Sequence, residues 1–143
     1  MTGAPVFGLD DGGLTLEEAT RVVGRAVAEA RRLGVTVSVA VCGAQGRLVA
    51  FAKMDGAGGM SARGAIGKAV ASAASGEPSE VIPPPGDTLS CSIVEGEGTA
   101  AFHGRGGIPL MRSGAVMGAV GVFGAASCDQ EFSCATAGAA AYR

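Results

Sequence analysis

Leu16, Ala19, Val22, Val23, Ala26, Val27, Ala30 and Leu33 recur at the spacing of one helix face, with Glu17, Arg21, Arg25 and Glu29 on the other. Thr15 and Glu18 stand ahead of them as a capping box, and Gly34 follows as a C-cap. The pattern predicts an amphipathic helix over 16–33. The period then changes to two. Val35, Val37, Val39 and Val41 alternate with Thr36, Ser38, Ala40 and Cys42, a strand with one branched face and one small face. Ala44-Gln45-Gly46 turns the chain, and Arg47 to Lys53 returns as a second strand. The small face either leaves room for a ligand or another subunit, or lies under a glycine-containing helix.

Ser61 caps a second predicted helix that reaches about Ser75, striped by Ala62, Ala65, Ile66, Ala69, Val70 and Ala73. Gly64 and Gly67 weaken it by about 1 kcal/mol each relative to alanine, so they imply close contact with a neighbour. Residues 76–98 carry Pro78, Pro83, Pro84, Pro85 and Gly86 and read as a long loop with a short strand near 90–94. Next, Ile108–Met111 and Ala115–Phe123 flank Ser113-Gly114, a two-residue hairpin signal. Gly106 and Gly107 permit close backbone approach, and Pro109 marks an edge or rim. Such a hairpin suits a ligand pocket and equally suits a plain core. Ser127 with Gln130 makes another capping box before a last helix through Phe132, Ala135, Thr136 and Ala139. The order predicts an α+β fold with helices packed on an antiparallel sheet. Residues 1–13 are expected to be a flexible tail and 14–143 a single domain.

Composition narrows the function classes. Apolar residues make up 48% of the 143 but aromatic ones only 4%, with no tryptophan, so the core is built from Ala, Val, Leu and Ile. With so little bulky side-chain volume, association is a natural way to gain burial, and a homo-oligomer is expected. The net charge of 11 − 13 = −2 comes without a basic cluster, which argues against nucleic-acid partners. No apolar run approaches the roughly 20 residues of a membrane span, and the first residues lack a signal-peptide pattern, so a cytoplasmic location is expected. Cys42, Cys91, Cys128 and Cys134 form no CxxC pair; with one histidine, a structural zinc site is not expected, and reduced thiols are.

That histidine, His103, lies between the proline-rich loop and the glycine run, where it is either a proton-transfer or metal-ligating group or an exposed loop residue. Arg105, two residues on, suits bidentate carboxylate recognition or simple solvation. Lys68 sits among small residues and either points into a cavity or is exposed. Asp55, after Met54, is a candidate ligand contact or a turn residue. Glu95 and Glu97 flank glycines in the loop as further carboxylates. No GxxxxGK[ST], HExxH or GxSxG motif is present.

Taken together, LTLEEATRVVGRAVAEARRLGVTVSVAV (14–41), GRLVAFAKMDGA (46–57), the 61–74 helix, GGIPL (106–110), GAVMGAVGVFGA (114–125) and QEFSCATAG (130–138) resemble the GlcG/HbpS family, which includes the haem-binding C-terminal domain of PduO-type proteins. The resemblance implies a profilin-like sandwich, dimers or octamers, and haem or corrinoid chemistry, with Glu131 matching an acid at the start of the last helix. Three departures stand out: Cys42-Gly43-Ala44 where members often have V-D-A, Phe123 where the hairpin often ends GVSG, and Phe102-His103-Gly104-Arg105 before the GG[ILV]P run. One expectation is a binding protein for haem or a related tetrapyrrole. His103 would be the axial ligand, Arg105 the propionate partner, and Gly106, Gly107, Ile108, Pro109, Met54 and Asp55 further contacts. The alternative is a cofactor-independent isomerase, cyclase or lyase acting on a small carbonyl compound. There His103 would be acid or base, Glu131 or Lys68 its partner, and the Gly106-Gly107 amides an oxyanion hole.

Overall fold

The computed structural model describes residues 13–81 and 104–142. In chain order these form α1 (Leu16–Leu33), β1 (Ser38–Gly43), β2 (Leu48–Lys53), α2 (Ser61–Ser75), a 3-10 turn (Ser79–Val81), β3 (Gly107–Arg112), β4 (Ala115–Phe123) and α3 (Cys128–Ala140). All of the N-terminal tail but Gly13, the strand expected near 90–94, Glu95, Glu97 and His103 lie outside the described residues.

Local chemistry sets most element boundaries. The Thr15 hydroxyl accepts the Glu18 amide while the Glu18 carboxylate accepts the Thr15 amide at 2.9 Å, closing the capping box of α1. At the other end Gly34 takes φ +73°, and the Val35 amide still donates to Ala30 O at 3.0 Å. Val35 therefore belongs to the helix exit, which is why β1 begins at Ser38 rather than where the alternation starts. Ser61 is not the cap of α2. Met60 holds that position without a side-chain bond, and the Ser61 hydroxyl donates to Gly58 O (2.6 Å) and meets Ser38 Oγ at 2.8 Å, tying the helix start to β1. Ser113 (φ +53°) and Gly114 (φ +80°) both adopt left-handed backbone, as a tight two-residue hairpin requires.

The four strands are antiparallel in the order β2-β1-β4-β3, so Pro109 lies on an edge strand, where its missing donor does least harm. On one face Val37, Val39, Val41, Leu110, Val120 and Val122 pack with α1 and α3. On the other, Ala40, Cys42 and Ala119 pack against Ala65, Ala69 and Ala73 of α2. The small face of β1 is thus covered by the chain's own helix, and the expectation of a ligand or subunit there gives way to the covered alternative. Glycines make the close approach possible. A Cβ on Gly121 would sit 2.6 Å from Ala69 N, and one on Gly64 would lie 2.7 Å from both Cδ atoms of Phe123. Among the described residues no helix is long and apolar enough to cross a membrane.

Candidate functional site

Strand register gathers the candidate residues at one end of the sheet. Ser38 opens β1 opposite Lys53, the last residue of β2, and Phe123, the last of β4; Gly107 opens β3 opposite Gly121. The Met54–Ala57 turn, the start of α2, the segment Gly104–Gly107 and the start of α3 therefore share this end. Asp55 is exposed in that turn, whose Ala57 amide donates to Met54 O at 3.0 Å, so its turn role is visible. Met54 and Ile108 are half-buried against the valine-rich core, and Pro109, also half-buried, pairs in β3 with Ala119 of the face that packs on α2.

Lys68 is not exposed. Only 1% accessible, it extends from α2 past the sheet end, and its ammonium lies 4.6 Å from the Phe123 ring centroid. Its three donors reach Arg105 O (2.7 Å), Val122 O (3.1 Å) and Glu131 Oε1 (2.7 Å). Glu131, in the first turn of α3, accepts the Gly124 and Ala125 amides on its other oxygen at 2.7 and 3.2 Å. The structure thus brings together two expected catalytic partners, 63 residues apart in sequence, as a buried ion pair. Every donor of the ammonium and both carboxylate oxygens are engaged by protein groups.

The glycines of GGIPL approach this pair closely. A Cβ on Gly106 (φ +127°) would meet Val122 O at 2.7 Å and Lys68 Nζ at 2.9 Å, and one on Gly107 would meet Lys68 O at 2.6 Å. The Gly107 amide, an expected oxyanion donor, is already given to Ser79 Oγ at 2.8 Å. The same hydroxyl donates to Gly104 O at 2.6 Å. Close approach is therefore real, but its object is α2 and the 3-10 turn of the same chain.

Arg105 turns the other way, toward the surface. Its guanidinium lies 3.8 Å from the Phe132 ring centroid, donates to Asp129 at 2.6 Å and reaches Glu80 at 3.4 Å. The hydrogen bond it donates to Asp129 raises its pKa above the ordinary arginine value, with Glu80 adding to the effect. Its side chain remains 37% accessible. Among the described residues, an added Cβ on neighbouring Gly104 would meet nothing within 4 Å. Ser79, Glu80 and Asp129 were not singled out in sequence. They lie 24 to 28 residues from their partners, a separation at which no periodicity links them.

Among the described residues, no group of three or more His, Cys, Asp and Glu side chains could hold a metal ion. What the arrangement offers is a buried, fully bonded ion pair beneath a glycine segment, and above it an arginine stacked on an aromatic ring and open to solvent.

The same architecture recurs in solved structures. A double mutant of HbpS from Streptomyces reticuli matches with a TM-score of 0.77 and 31% identity over 98% of this chain and 97% of that one. The protein ORFY of Klebsiella pneumoniae, 22% identical with a TM-score of 0.78, shares the fold over 98% and 97% of the two chains. A PduOC:heme complex matches with a TM-score of 0.77 and 26% identity, covering 91% of this chain and 95% of the other. A search of curated proteins returned no match. The family model described as "Haem degrading protein HbpS-like" matches residues 14–140, which spans every described helix and strand of the sandwich. With that span and the HbpS correspondence, the chain belongs to the HbpS-like family.

Proposed function

We propose that the chain binds a small organic ligand at the Gly104–Gly107 end of the sheet, with haem or a related tetrapyrrole as the first candidate. One observation carries this reading: the family match over 14–140 joined to the fold-long similarity to the PduOC:heme complex. The residues present fit the carboxylate end of such a group. Arg105 is a half-exposed cation whose partners are surface carboxylates, and surface pairs of this kind are worth only about 0–1 kcal/mol. A ligand carboxylate can replace Asp129 or Glu80 at small cost and gain a forked, charge-assisted contact. When bound, haem would supply an iron that an imidazole can ligate.

His103, adjoining Gly104 in sequence, is the axial candidate, and Met54, Asp55, Ile108 and Pro109 are further contacts at the same end. The acid–base alternative draws less support, because all three donors of Lys68 and both oxygens of Glu131 are already engaged within the protein and the pair is buried. A cytoplasmic homo-oligomer remains the expected setting.

Titration of the purified chain with haemin tests the reading. The expected result is a saturable Soret shift, altered in a His103→Ala variant and weakened in Arg105→Ala. Absence of any saturable shift overturns haem as the ligand, and an unchanged spectrum in His103→Ala overturns the axial assignment.

A further inference from the structure

We infer that Lys68 and Ser79 are positioning residues of the proposed site, holding Gly104–Gly107 in the backbone shape that seats Arg105 on Phe132. The inference rests on the reading of this corner as a ligand site. Each of the four residues has a hydrogen-bonded tie of its own. Gly104 O is held by Ser79 Oγ, Arg105 O by Lys68 Nζ, Gly106 O by the Val122 amide at 2.8 Å, and the Gly107 amide by Ser79 Oγ again. Three of these ties come from two side chains that are essentially inaccessible, Lys68 at 1% and Ser79 at 0%.

The choice of a lysine is informative. An apolar side chain of similar length would fill the same space without the desolvation cost of a buried charge. What the ammonium adds is direction: three donors aimed at three fixed acceptors, one of them the carbonyl of the residue that faces the ligand. Gly106 completes the device, because its φ of +127° and lack of a Cβ leave room for the ammonium beneath it. With the backbone of Arg105 fixed from below, the ordering cost of its carboxylate-binding end falls on folding rather than on binding. Glu131 acts through Lys68, holding the ammonium in line.

The test compares wild type with Lys68→Met/Glu131→Gln and with Ser79→Ala by amide hydrogen exchange and haemin titration. In the double variant the Gly107 and Val122 amides should exchange faster while α1 and β1 keep their protection. Haemin affinity should fall about tenfold, the lower end of what losing the outer partner of a metal-ligating side chain costs. Unchanged exchange at those two amides overturns the inference. So does a uniform loss of protection across α1 and β1, which marks general destabilisation, and so does local loosening with unchanged haemin affinity. If the double variant does not fold, Ser79→Ala decides on the same readouts. If wild type fails to bind haemin, the functional reading falls by itself. The Arg105 Nε–H resonance then decides: movement toward the position of a free arginine in the variants sustains the positioning role, and an unmoved resonance overturns it.

Discussion

At the scale of single residues, the Lys68–Glu131 pair has the steepest consequences. Lys68→Met leaves a carboxylate that is 3% accessible with no counter-charge, which should cost about 3–5 kcal/mol in urea unfolding, whereas the paired Lys68→Met/Glu131→Gln change should cost clearly less. Equal losses in the two variants would refute the coupling. A second pair is steric. Gly64→Ala drives a methyl into the Phe123 ring and should destabilise by about 1–3 kcal/mol, most of it recovered in Gly64→Ala/Phe123→Leu. If the second change recovers nothing, the ring is not the obstacle. Cys134 makes a chemical prediction: burial pushes its thiol up to about 11, so it stays protonated at neutral pH. Site-resolved alkylation should label exposed Cys128 quickly and Cys134 only on unfolding, and comparable rates would contradict this. These residues also show what sequence can and cannot reveal. Arg105 beside a glycine run suggested carboxylate recognition or solvation, and it pairs with two surface carboxylates of its own chain, Asp129 and Glu80. The burial of Lys68 was not recognisable, because its partners come from β4, α3 and the 104–107 segment, and no local pattern encodes a contact across 63 residues.

Elements were the most legible level, because their signals are local. Both capping boxes, the left-handed Gly34 and the Ser113-Gly114 turn are decided within four residues of chain, and all form as expected. The misplaced boundaries have tertiary causes: Ser61 is drawn from a capping role to a bond with Ser38, and Val35 stays with the helix exit. A polar tie between α1 and α3 was also hidden, beside the close apolar packing of Val22 and Ala26 against Gly138. Glu29 of α1 accepts a forked pair from Arg32 and a hydrogen bond from Ser133 of α3 at 2.8 Å. The Arg32 contact, then Ser133, lowers its pKa from 4.5 to about 2. The folded state therefore binds this proton more weakly than the unfolded chain. The stabilisation is complete above pH 4.5 and drains away as pH falls toward 2. Denaturant midpoints measured across that window should fall with acidification in wild type and fall less in Glu29→Gln. An identical slope in the variant would remove Glu29 as a source of the acid sensitivity.

For the whole molecule, the sandwich followed from the order of elements, but which faces it leaves bare did not. The glycine-bearing helix α2, whose small residues implied close contact with a neighbour, sets Gly64 against Phe123, and its alanines cover β1 and β4. The small residues that suggested assembly are therefore used inside the chain. Large apolar side chains remain elsewhere. On β2, an edge strand, Leu48 stands opposite Cys42 and Phe51 opposite Ala40, on the face that α2 covers over β1. Yet Leu48 is 50% and Phe51 38% accessible, so the helix does not extend over them. Fully burying two such side chains is worth about 1.5–3 kcal/mol each. In a chain with only 4% aromatic residues, two such side chains left accessible are a notable reserve of burial. A homo-oligomer in closed symmetry is thus expected to bury the β2 face rather than α2. Light scattering should return a multiple of 13.9 kDa for wild type and a smaller assembly for Leu48→Lys/Phe51→Glu, with far-ultraviolet dichroism unchanged. A wild-type mass of 13.9 kDa at micromolar concentration would refute assembly. A wild-type oligomer that survives the double substitution intact would move the interface off β2, with Met111, 43% accessible on the opposite edge strand, as the next apolar residue to charge.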